Sequence, residues 1–140
     1  MTTSQRLKLA TIAALQESTP SATITIVDAK LRDAIELPVL AVEVMNTAAH
    51  SQALQHVEMV TIAATLRVHS GDNDQDVDEW IDQIESTFGD SSFMKSSTSD
   101  DMKTYSWVYQ GSTQSWDENI LEVSFTAEAL CSRFDLQPQN

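Results

Sequence analysis

The feature that most constrains the fold is a run of apolar and β-branched residues from Val57 to His69. Alternate positions from Val60 to Val68 are apolar, and the positions between them are mostly polar or small, which predicts a strand with one buried face. Thirteen residues is long for this element, because strands in globular proteins usually have about five or six residues. We therefore expect the strand to extend beyond its own domain and to pair with a neighbour.

The other predicted elements follow from the same periodicities. Apolar residues at three- and four-residue spacing predict helices over 4–17 and 76–88, the second with Asp76 as its cap and Glu79 in a capping box. Further strands are predicted over 22–27, 37–45, 104–110 and 120–128, with one helical turn near 29–34, a surface loop at 90–103 and a turn at 111–119. The expected fold is α+β in the order α-β-β-β-α-β-β, with a mostly antiparallel sheet of four to five strands and two main helices on one face.

The chain is expected to form one domain over residues 1–136, followed by a flexible tail at 137–140. Residues 46–56 are small and polar and contain neither Gly nor Pro, which predicts an extended hairpin arm and not a tight turn. A signal peptide is not expected, because the N-terminal segment lacks a continuous apolar stretch and a small-residue cleavage site. A membrane span is not expected either, because no apolar run approaches the roughly 20 residues that span a bilayer. The single cysteine, Cys131, excludes an internal disulfide and fits a reducing compartment.

The net charge of −13 is concentrated in the second half of the chain. Residues 1–70 hold six acidic and five basic side chains, whereas residues 71–140 hold fifteen acidic and three basic ones. Such a chain is expected to be repelled by nucleic acid and by anionic membranes. The excess charge indicates either solubility alone or an acidic face that meets a basic partner or lines a channel.

No catalytic or metal-binding motif is found. A calcium loop starting at Asp72 would place Val77 where an EF-hand needs Gly and Gln83 where it needs Glu, so the acidic run is better explained by a helix N-terminus. The three histidines match no zinc spacing, and Cys131 has only Arg133 as a basic neighbour, which favours a structural thiol. The sequence leaves open a catalytic pair of carboxylates that are far apart in the chain and close together in the fold.

The strand near Trp107 leaves a second hypothesis open. Trp107, Tyr109 and Trp116 are either sheet core and subunit interface or a stacking platform for a ligand. The platform hypothesis describes a ligand- or protein-binding α+β module and predicts a concave pocket with converging polar groups beside these rings.

A series of segments covering residues 4–130 carries a resemblance to a known family. The series consists of an opening helix SQRLKLATIAALQ, a strand LPVLAVEV, a polar tip NTAAHSQALQ, a long strand VTIAATLRVHS, an acidic helix DVDEWIDQIESTF, and the closing strands YSWVYQ and NILEVSFTAEAL. It resembles the tail-terminator and tail-completion proteins of long-tailed bacteriophages.

The resemblance implies a structural virion protein. It is expected to have no enzymatic activity and to bind neither a cofactor nor a metal. Such a subunit assembles in the host cytoplasm into a homo-oligomeric ring, commonly a hexamer, in the neck or tail of the virion. The ring caps the tail tube and joins it to the head-side connector, and DNA passes through without sequence-specific binding.

The resemblance also implies which residues make contacts between subunits. These are the residues at the hairpin tip and on the outer face of the long strand: Asn46, His50, Gln52, Leu54, His56, Arg67 and His69. The acidic residues Asp72 and Asp74, together with the loop 90–103, are the candidates for facing the lumen or an adjoining ring.

Overall fold

The computed structural model describes residues 1–18, 24–49, 57–72, 74–96 and 102–133. These residues form helices α1 (Thr3–Ser18), α2 (Asp74–Phe88) and α3 (Ser91–Ser96), a 3-10 helix (Ala29–Ala34), and strands β1 (Thr25–Asp28), β2 (Val39–Ala49), β3 (Val57–His69), β4 (Met102–Asp117) and β5 (Ile120–Arg133). The fold class is α+β.

The five strands form one sheet in the order β1-β2-β3-β5-β4. The pairings β2–β3, β3–β5 and β4–β5 are antiparallel, whereas β1 runs parallel to β2. The sheet is therefore mixed, and the expected antiparallel character holds for only three of its pairings. The parallel pairing arises because the 3-10 helix carries the chain back before β2 begins, which is the crossover that parallel strands require.

Strand β3 lies at the centre of the sheet and covers the residues predicted for it, Val57–His69. Its alternate apolar side chains are buried, as expected for a strand with one face in the core. Both long helices contribute to the same core, which contains Leu7 and Leu15 of α1, Val60, Ile62, Ala64 and Leu66 of β3, Ile84 and Phe88 of α2, and Val123, Phe125 and Ala127 of β5.

Helix α2 begins earlier than predicted. Asp74 is its first residue, so Asp76 lies within the first turn and is not the cap, and Glu79 is not part of a capping box. Aspartates in the first turn stabilise the helix through its dipole, which explains why several positions in this acidic run look like plausible starts.

The segment predicted as the loop 90–103 contains a short helix, α3. The carboxylate Oδ1 of Asp90 accepts a hydrogen bond of 3.1 Å from the main-chain N–H of Phe93. Met94 is buried in the core. A cap and one anchored apolar side chain therefore make a helical turn from a serine-rich sequence whose intrinsic helix propensity is low.

The predicted turn at 111–119 is wrong in its extent. Strand β4 continues through Gly111 to Asp117, and the reversal occurs only at Glu118 and Asn119. Gly111 has φ of 99° and lies at a register shift in the pairing with β5. Glycine adopts this conformation without steric cost, so it marks a bulge inside a strand and not the end of one.

Candidate functional site

The predicted contact residues that the structure describes lie at two separate places along β3. Arg67, His69, Asp72 and Asp74 follow one another where β3 leads into α2. Asn46 pairs with Thr61, which lies about 26 Å along the strand from His69 at roughly 3.3 Å per residue. The predicted residues His50, Gln52, Leu54 and His56, and most of the arm at 46–56, lie outside the described residues.

Arg67 makes its contacts within the subunit. Its side chain is only 15% exposed, and its Nε lies 3.0 Å from Oε1 of Glu122, the residue opposite it on β5. The N–H does not point at that oxygen, so this contact is an ion pair without a hydrogen bond. Nη1 donates a hydrogen bond of 3.4 Å to Oδ1 of Asp33 in the 3-10 helix. Arg67 thus ties three elements together, and its role between subunits remains a prediction.

His69 and Asp72 close the turn between β3 and α2. The main-chain N–H of His69 donates a 3.0 Å hydrogen bond to the Asp72 carboxylate, and the main-chain N–H of Asp72 donates to the carbonyl oxygen of His69. Next to them, the N–H of Ser70 donates to the carbonyl oxygen of Asn119. This turn therefore lies beside the β4–β5 turn at one end of the sheet, with the His69 side chain exposed.

Helix α2 presents an acidic outer surface. Six carboxylates on it are exposed: Asp74, Asp76, Asp78, Glu79, Asp82 and Glu85. The last turn contains no basic residue, and Glu85 accepts a 2.8 Å hydrogen bond from the Tyr109 hydroxyl. Among the described residues, no three His, Cys, Asp or Glu side chains come together as metal ligands.

The three aromatic residues of β4 do not share one surface. Trp107 is 4% exposed, and its ring packs edge-on against Phe88. Tyr109 is half-buried against the same phenylalanine. Loss of solvation on burial raises the pKa of the Tyr109 hydroxyl, and the hydrogen bond to Glu85 raises it further, to about 12. Only Trp116 is exposed, at 62%.

The structure does contain a cleft, but it is not formed by the aromatic strand. This cleft of about 350 Å³ is lined by Lys8, Asp28, Ala29, Lys30, Glu43 and Val44. Two of its four charged side chains form an ion pair, since Nζ of Lys8 lies 2.8 Å from Oδ2 of Asp28. The cleft lies beside β1 and β2, at the sheet edge opposite β4.

Cys131 is buried in the core beside β4. Its Sγ lies 3.6 Å from the hydroxyl of Thr104, and burial raises the pKa of the thiol to about 11. A thiol held in its protonated form is a poor nucleophile. The arrangement is that of a packed apolar side chain.

The two outer edges of the sheet were not singled out as sites from the sequence. Strand β1 pairs only with residues 39–42 of β2, so residues 43–49 have no strand on that side within the described part of the chain. Strand β4 forms the other edge along its whole length. The sequence did carry a signal, because residues 104–116 and 44–57 contain no Asp, Glu, Lys or Arg in a chain with a net charge of −13.

The comparisons with known proteins add no relative. No protein-family model matches the chain, and no curated protein matches its sequence. Within the described residues, no helix has the length and apolar character needed to span a membrane.

Proposed function

We propose that the chain is a non-catalytic structural subunit that assembles with copies of itself into a ring at the tail end or neck of a long-tailed bacteriophage virion. The observation that carries this proposal is the second half of β4. From Ser112 to Asp117 every side chain of this edge strand is exposed, and the segment includes a largely exposed tryptophan, Trp116.

This exposed segment gains nothing from burial within its own subunit, so its strand conformation needs another explanation. The helices cover the core residues of β5 beside it, including Val123 and Phe125, but they leave the second half of β4 uncovered. Tryptophan is enriched at the buried centres of protein interfaces, where its large ring contributes much of the binding energy. A surface of this kind on a regular edge strand supports a contact with another protein subunit.

The order of elements is a second support. An opening helix, a central strand pair, an acidic helix and two closing strands follow one another as in the tail-terminator and tail-completion families that the sequence resembles.

The charge distribution suits a ring through which DNA passes. Helix α2 has exposed carboxylates and no basic residue in its last turn to offset their charge. A lumen lined by this helix would repel phosphates and so prevent DNA from sticking. Contacts to the tail-tube protein and to the head-side connector would then use the turns at the ends of the sheet, away from α2.

Electron microscopy of the purified chain, alone and mixed with tail tubes of its phage, tests the proposal. We expect ring-shaped particles that bind at one end of a tube. Trp116→Ser should weaken ring formation, whereas Leu9→Ser, which removes an exposed apolar side chain from α1, should leave it unchanged. A chain that forms no rings and does not bind tubes would contradict the proposal.

A further inference from the structure

We propose that neighbouring copies join head to tail through their sheet edges, with residues 46–49 of β2 in one copy pairing with residues 111–116 of β4 in the next. This inference rests on the proposed ring and names the surface that builds it. Both segments belong to strands with an open side within the described residues.

The first argument is the regularity of the edge segments. In β2 the pairing with β3 shifts between Val44 and Asn46 and is regular from Asn46 to Ala49. Strand β4 pairs with β5 without interruption from Gly111 to Asp117, whereas its first half contains shifts after Thr104 and Tyr109. Bulges in an edge strand hinder pairing with another strand. The regular half is therefore the part able to accept a new strand, and it is also the part that no helix covers.

The second argument is charge. Natural proteins protect exposed edges with charged residues or proline. Residues 44–49 and 111–116 contain neither, although the chain has a net charge of −13. Repulsion between copies is weakest where charges are absent, so two copies of this acidic chain can approach most closely along these segments.

The third argument concerns the partner. The short edge strand β1 is protected, because the amide Nε2 of Gln16 donates a hydrogen bond of 3.2 Å to the carbonyl oxygen of Ile26. Pairing between β2 and β4 satisfies two different open edges at once, whereas a foreign strand on one edge would leave the other exposed. Two different surfaces that meet head to tail generate a ring when the rotation closes.

An exposed apolar side chain also lies in or next to each segment. Met45 is 60% exposed on β2, and Trp116 lies at the end of the β4 segment. Burial of such side chains adds a non-directional attraction to the main-chain hydrogen bonds of a shared sheet.

Disulfide trapping tests the inference. Copies carrying Asn46→Cys are mixed with copies carrying Ser112→Cys, Gln114→Cys or Trp116→Cys, under oxidising, non-denaturing conditions in which the buried Cys131 thiol does not compete. A disulfide requires Cα atoms within about 7 Å. We expect a crosslinked dimer with at least one partner, and none when Asn46→Cys is mixed with Gln83→Cys on α2.

A pair of charge variants provides the second test. Gln114→Glu and Gln83→Glu make the same change at exposed positions, one on the β4 edge and the other on α2. We expect Gln114→Glu to weaken assembly about tenfold or more, because a carboxylate buried without a partner in an uncharged interface loses its hydration. Gln83→Glu should change it less than about threefold.

The outcomes separate the inference from the proposed function. If the wild-type chain assembles and no β2–β4 pair crosslinks, the edge pairing is wrong while self-assembly stands. The same holds if Gln114→Cys copies crosslink with one another and not with Asn46→Cys copies. If the wild-type chain does not assemble, both are wrong.

Discussion

The indole Nε1 of Trp107 donates a hydrogen bond of 2.7 Å to the main-chain carbonyl oxygen of Phe88. The two rings also pack edge to face, with centroids 5.2 Å apart. Phe88 is the last residue of α2, so this contact joins the end of the helix to β4 and satisfies a carbonyl that has no partner within the helix. A strand with one uncovered edge is thereby fastened to the core.

Replacing Trp107 by Phe should lower the free energy of unfolding by about 2 kcal/mol, because the Phe88 carbonyl loses its buried donor and the core loses volume. Urea denaturation measures the change. The matched variant Trp116→Phe alters an exposed ring and should stay within about 0.5 kcal/mol of the wild type. Equal effects at the two positions would contradict the role assigned to Trp107.

Gly89→Ala should destabilise the fold by about 1–3 kcal/mol. A Cβ at this position would lie 2.7 Å from the carbonyl oxygen of Glu85, which is main chain and cannot move aside cheaply. Gly71→Ala is the control, because nothing lies within 4 Å of a Cβ there. Thermal unfolding of the two variants should differ clearly, and equal melting temperatures would show that the space around Gly89 adjusts.

The ion pair between Lys8 and Asp28 should make stability depend on pH in the acid range. The hydrogen bond from Lys8 holds the pKa of Asp28 below its ordinary value of 3.8. A carboxyl whose pKa is lowered by folding stabilises the native state above that ordinary value, and the stabilisation is lost as pH falls through the lower folded value. The difference in unfolding free energy between the wild type and Asp28→Asn should therefore shrink below pH 3.8.

Urea titrations at a series of pH values measure this difference. In a Lys8→Met background the same Asp28→Asn change should lose most of its pH dependence, because the partner that lowers the pKa is absent. An unchanged dependence in that background would assign the effect to another group.

Cys131 should react slowly with thiol reagents in the native protein at pH 8. Burial raises the pKa of its thiol to about 11, so the reactive thiolate is scarce as well as inaccessible. Unfolding in urea should restore rapid reaction. The control is Gln83→Cys on the exposed face of α2, which should react rapidly in the folded state. Equally rapid native reaction of Cys131 would contradict its burial.

The elements that the sequence predicted best are those whose pattern is decided locally. Strand β3 shows a long alternation of apolar and polar residues, and its bounds, Val57 and His69, were predicted correctly. Helix α2 has a clear apolar stripe, and only its first turn was misplaced, because every acidic residue from Asp74 onward suits a helix N-terminus.

The elements that the sequence missed depend on partners far along the chain. The polar second half of β4 has no apolar alternation and is a strand because it pairs with Ile120–Thr126 of β5. The parallel direction of β1 depends on where β2 lies, which periodicity does not encode. The same reason explains why Arg67 was predicted as an outward contact, since Glu122 and Asp33 approach it only in the fold.

The central claim is that this chain works by assembling with copies of itself, and its mass in solution tests that most directly. Light scattering on the wild-type chain over a wide range of concentrations should give a mass that rises to a fixed multiple of 15.5 kDa. A mass of 15.5 kDa at every concentration would contradict the account.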